Sequence, residues 1–181
     1  MDQTVKIYFK NLESKDKQLQ FEAYTNLMEI TTEKVDWAYE VWDKLKADLT
    51  HKDPHKRSRA AQFLAHLALS DFEKRMLEDF SDVWKVTQDE KFVTARHSLQ
   101  SIWRVALAGE GQKELVLSHL IDRFKNCLNE KNYTLIRFDI IESFKKLYNA
   151  SGEEEVKTTA FQLIELEEDS KYKKKYTALW K

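Results

Sequence analysis

Chemistry needs the right side chains within reach of one another, and this chain offers few sets that qualify. His51, Asp53 and His55 alternate through one short stretch, and all three types ligate zinc. Asp53 also precedes Pro54 and a helix-forming run, where a carboxylate caps a helix and the missing proline N–H costs nothing. The spacing places no further ligand, so no metal site is expected. Asp139 stands among Ile136, Phe138, Ile140, Ile141 and Phe144. A buried carboxylate can be tuned for acid–base work, but Arg96 and Arg137 are at hand, and an ion pair between segments is the expected role. Cys127, the single cysteine, sits beside Phe124 and Leu128 and reads as a small core residue. No catalytic residue is assigned and no cofactor is expected.

Glycine and tryptophan narrow the choice further. Gly109, Gly111 and Gly152 are the only glycines, and they form neither a phosphate-cradling loop nor a G-x-S-x-G elbow. Trp42, Trp84 and Trp103 fall on apolar stripes and are expected in the core. Trp37 lies off the stripe Ala38, Val41, Leu45 and Leu49 and is expected at the surface. Arg57, Arg59, Arg96 and Arg137 recur near the starts of successive segments. They suit either carboxylate ties between segments or a row of phosphate contacts.

The elements that carry these residues are helical throughout. Apolar residues recur at helical spacing near 4–12, 15–30, 33–49, 54–69, 71–86, 90–108, 112–128, 133–149 and 153–169. Ser70 to Glu73, Thr87 to Glu90 and Ser151 to Glu154 match the reciprocal capping box. Tyr172, Tyr176, Leu179 and Trp180 predict one more amphipathic helix, expected to fold back over the last unit. Leu27, Leu64, Ile102 and Phe144 align as equivalents at spacings of 37, 38 and 42. A period of about 40 with two helices is a repeat signature. Asp53-Pro54 followed by Arg57, Arg59 and Ala60-Ala61 resembles the HEAT/armadillo-like superfamily. The resemblance implies an all-α, right-handed α-solenoid of about four HEAT-like helix pairs with terminal capping helices. As a single domain, 1–181, this gives an N-terminal cap at 1–14, four pairs over 15–169 and a C-terminal helix at 170–181.

Charge makes the resemblance bear on partners. The chain has 30 basic and 31 acidic residues, a net charge of −1. The four first helices of the pairs sum to +5, the four second helices to −9 and residues 170–181 to +5. In HEAT-like arrays the second helices line the concave face, so an acidic groove is implied, which attracts cationic peptides and repels phosphates. The expected function is a non-enzymatic scaffold binding a basic protein or peptide through Trp37, Glu40, Asp79, Asp82 and Glu165. The alternative is a nucleic-acid role like that of HEAT-like alkylpurine glycosylases, with Arg57, Arg59, Arg96 and Arg137 on phosphates. The opening residues lack a signal peptide's apolar run, and no stretch reaches the ~20 apolar residues of a membrane span. A cytoplasmic protein with no membrane partner is expected.

Overall fold

The computed structural model describes residues 1–181 and holds ten α-helices with no strand. They are α1 (Gln3–Asn11), α2 (Lys17–Ile30), α3 (Ala38–Asp48), α4 (Pro54–Leu67), α5 (Arg75–Val86), α6 (Phe92–Leu99), α7 (Glu110–Asn126), α8 (Tyr133–Ser151), α9 (Glu154–Glu165) and α10 (Ser170–Ala178). Short 3₁₀ stretches follow α4 (Ala68–Ser70) and α6 (Ile102–Ala108).

Aspartates start many of the helices. Asp2, Asp16, Asp53 and Asp169 each accept from backbone N–H groups of the first turn of α1, α2, α4 and α10. The three predicted capping boxes do not form. The Ser70 hydroxyl accepts from Val35 N, and the buried carboxylate of Asp71 takes the α5 terminus from Arg75 N and Met76 N at 3.0 and 2.7 Å. Thr87 donates back to Trp84 O, and Ser151 closes α8. A carboxylate accepts from N–H groups more strongly than a hydroxyl does, so Asp71 displaces Ser70. The helix expected over 90–108 divides into α6 and a 3₁₀ stretch. Ser98 and Ser101 there donate to the carbonyls of Thr94 and His97 four residues back, which weakens and bends a helix.

Helices two apart in the chain run parallel. Tyr24 meets Gln62 and Thr31 meets His66 between α2 and α4. Thr94 meets Pro54, Ser143 meets Leu99, and Tyr176 meets Thr134, linking α4, α6, α8 and α10 in turn. Trp42 meets Asp79 between α3 and α5, the rings of Phe80 and Trp84 meet His119 between α5 and α7, and Lys113 meets Glu153 at the start of α9. Contacts spread along a pair bring higher residue numbers to higher numbers, as with Phe138 to Tyr176 and Tyr148 to Trp180 from α8 to α10 and the turn after it, while α4 with α6 and α7 with α9 meet at their starts. The even-numbered helices therefore share one direction, and the odd-numbered helices from α3 onward share another.

Between the two sets lies one core of 40 buried residues, from Val5 to Tyr176. The equivalents Leu27, Leu64, Ile102 and Phe144 are all at most 1% exposed. The C-terminal half of α4 is enclosed, with every residue from Ala60 to Leu67 buried, because α3, α5 and α6 all pack on the helix. Helix α10 packs on α8 and α9, with Tyr176 fully buried and Trp180 against Tyr148 and Phe161. No helix is long and apolar enough to cross a membrane.

Candidate functional site

Two of the five residues expected to meet a partner lie inside the protein. Trp37 is 5% exposed and packs edge-on against Phe9 at 5.7 Å. The expected helix over 33–49 begins only at Ala38, so Trp37 sits in the preceding turn, where α1 covers it. Asp79 is also buried, accepting from Trp42 Nε1 at 2.8 Å and Lys46 Nζ at 2.5 Å. It ties α3 to α5. The other three are accessible but engaged: Glu40 with the Met1 amino group, Asp82 with Lys85 and Glu165 with Lys173 of α10.

The expected arginine row does not face outward as a set either. Arg57 forks onto Asp89 at 2.6 and 2.9 Å and donates to His51 O. Arg96 forks onto the fully buried Asp139, both contacts 2.7 Å, with Gln100 adding a third donor. Hydrogen bonding to that carboxylate holds the Arg96 guanidinium above its usual range. Arg137 is buried against the Phe124 ring, 4.3 Å from its centroid, and bonds Glu167 at 2.9 Å. The bidentate, partly desolvated pairs of Arg57 and Arg96 are of the strong kind. Each of the three arginines fastens its helix to a segment further along the chain: Arg57 of α4 to the turn before α6, Arg96 of α6 to α8, and Arg137 of α8 to the residues after α9. Arg59 differs, since it donates to Leu12 O and has no carboxylate partner.

The remaining sequence candidates resolve simply. His51 Nδ1 accepts from Asp53 N at 2.9 Å, and no group of three or more His, Cys, Asp or Glu could hold a metal ion. Cys127 is buried, and burial pushes its thiol above the ordinary value. Trp42 and Trp84 are core residues, while Trp103 is half-buried with Arg104 over its ring.

One surface group was not legible in advance. Phe72 is 80% exposed, yet its loop is pinned. Tyr39 of α3 donates to Asp71 at 2.6 Å and accepts from Glu73 N at 2.8 Å, and its ring lies edge-on to Phe72 at 5.0 Å. Burial, followed by the Asp71 carboxylate, pushes the Tyr39 phenol up to about 12. Lys74 adopts the left-handed backbone region, φ 58°, to turn this loop into α5, a conformation that costs a non-glycine residue free energy. The first turns nearby are acidic: Glu40 in α3, Glu78 in α5, Glu110 in α7, and Glu154 and Glu155 in α9. Carboxylates are favoured there by the positive end of the helix dipole. Leu77, also exposed, lies toward Gly111 at the start of α7. The N-terminal edge of the odd-numbered helices thus combines an aromatic anchor, a leucine and carboxylates of which Glu73, Glu78 and Glu114 are exposed and unpaired.

The class defined so far is an all-helical protein of two parallel helix sets. No known family model matches the chain, and no curated protein does so. The crystal structure of an engineered protein is similar in fold, with a TM-score of 0.52 and 18% identity over 99% of this chain and 79% of that one. At that identity the likeness speaks to fold alone.

Proposed function

We propose that this protein is a right-handed solenoid of HEAT-like helix pairs that serves as a non-enzymatic scaffold for a basic protein or peptide. The partner binds across the N-terminal edge of α3, α5, α7 and α9. The observation that carries the reading is Phe72, held 80% exposed on a braced loop beside unpaired carboxylates. Aromatic anchors ringed by complementary charge are where binding energy concentrates. The offsets of 32 to 44 residues between contacting parallel helices support the solenoid part of the reading. They suit stacked units of about 40 residues.

The test uses an array of short peptides in which Lys and Arg alternate with Leu and Phe, with acidic counterparts as controls. Basic peptides are expected to bind, with affinity falling as salt rises. Phe72→Ala is expected to weaken them about tenfold or more, as loss of a hot-spot anchor does. It should leave thermal stability unchanged. Glu73→Lys with Glu78→Lys should slow association. Equal binding of acidic peptides, or indifference to Phe72→Ala, would remove the basis for this assignment.

A further inference from the structure

A cleft of about 470 Å³ opens between α2, α4 and α6, on the opposite helix set from Phe72. Its size is within the range of small-molecule sites, but its lining is unusual for this protein. Lys17, His55, Arg59 and His97 converge on it from three helices, and Phe21 stands at its side with 64% of its surface exposed. Asp53 is the one carboxylate in the lining, and it is committed to capping α4 through His55 N at 2.9 Å.

Arg59 is available in a way that most of the arginines are not. Arg57, Arg96 and Arg137 are spent on Asp89, Asp139 and Glu167. Another cleft of about 290 Å³, between α6 and the start of α8, contains Arg96 and Arg123, but Arg123 is likewise spent on Glu130. Arg59 uses only one nitrogen, on Leu12 O, and so keeps donors for a ligand, although the Asp53 carboxylate in the same lining offsets part of its charge. Lys17 makes only a 3.3 Å contact to Gln20. Ser58 accepts from Gln62 at 3.0 Å and keeps its own proton to donate. A guanidinium with free donors suits a phosphate fork, and an exposed phenyl face suits a flat ring. The two requirements together describe a phosphorylated, ring-bearing compound.

We propose that this cleft binds a nucleotide unit, its phosphate held by Arg59 and Lys17 and its base stacked on Phe21. The unit can come from a free nucleotide or from a single-stranded chain. This site is independent of the peptide-binding edge, since no residue is shared.

Three probes separate the sources: adenosine monophosphate and inorganic phosphate by calorimetry, and a labelled single-stranded thymidine hexamer by fluorescence anisotropy. Saturable binding of the monophosphate, tighter than that of inorganic phosphate, is expected. Phe21→Ala and Arg59→Gln should each weaken it about tenfold, the loss expected for one stacking or one charged contact. Binding of the hexamer alone, with the same sensitivity to both variants, also supports the site and assigns its unit to a chain. Because Arg59 braces Leu12, melting curves accompany its variant. His97→Ala, an exposed substitution outside the core, is expected to weaken binding without changing the melting temperature. Inorganic phosphate binding as tightly as the nucleotide and ignoring Phe21→Ala would overturn the proposal. So would the absence of saturation by either nucleotide probe, or binding unchanged in all three variants.

Discussion

The two helix sets use charge in opposite ways. Among the even-numbered helices Arg57, Arg96 and Arg137 turn inward onto carboxylates 30 to 43 residues further along the chain, and the acid that receives Arg96 is wholly buried. Among the odd-numbered helices Glu78, Glu114 and Glu155 stay at the surface without partners, and some pairs, such as Lys85 with Asp82, lie in the open, although Asp79 is buried against Lys46. A net charge summed over a helix treats these cases alike. They differ because a buried ion has lost its hydration and depends on its partner, whereas an exposed one keeps its water. Three of the first helices' arginines are therefore internal structure, while Lys15, Lys17 and Lys91 remain at the surface, as do many of the carboxylates behind the −9 of the second helices.

The sharpest way to break this contrast is Asp139→Ala. It leaves the Arg96 guanidinium and the Gln100 amide without their acceptor, and it should cost about 3–5 kcal/mol in urea unfolding, as breaking a buried pair does. Replacing both members by apolar residues, Arg96→Met with Asp139→Leu, should recover most of that loss. A cost under about 1 kcal/mol for Asp139→Ala would mean that the tie is no stronger than a surface pair.

A smaller effect comes from His66, buried on α4 with Nδ1 3.1 Å from Thr31 Oγ1. Burial, followed by the nearby Arg104 charge, lowers its pKa to about 3. The unfolded chain binds this proton near pH 6.5 and the folded chain does not. Stability is therefore undiminished above about pH 6.5 and falls as pH drops toward 3, by at most about 1.4 kcal/mol per pH unit from this group. Denaturant midpoints taken across that window should show the fall, and His66→Leu should flatten it. An unchanged slope in the variant would place the acid sensitivity elsewhere. The smallest effect is at the surface: Asp82→Asn, which frees an exposed Lys85, should shift stability by less than about 0.5 kcal/mol. A loss several times larger would mean that exposed pairs also hold the fold.

Much of the local structure could be read before any coordinates. Asp53 and Pro54 start α4 where the cap and ring geometry require. Leu27, Leu64, Ile102 and Phe144 are buried as their spacing predicts. Asp139 pairs with Arg96, one of the two arginines named for it, and Tyr176 is buried where α10 folds back onto α8 and α9. These outcomes depend on helical periodicity and on groups a few residues apart, both of which the sequence displays directly.

Tertiary structure alone decided which polar and aromatic groups remain free. Trp37 left the surface because α1 closes over the turn before α3. Asp79 was taken by Trp42 and Lys46, residues 37 and 33 positions away. Phe72, adjacent to Asp71 in the chain, stayed outside because that carboxylate, buried beneath Tyr39, fixes the loop with the ring outward. The cleft of Lys17, Arg59 and His97 gathers three helices whose members share no sequence motif. Helical spacing tells which side of a helix is apolar. Whether a charge or a ring on the other side is free depends on what stands within a few ångströms of it, and here that neighbour comes from far along the chain, as Phe9 does for Trp37 and Asp79 for Trp42.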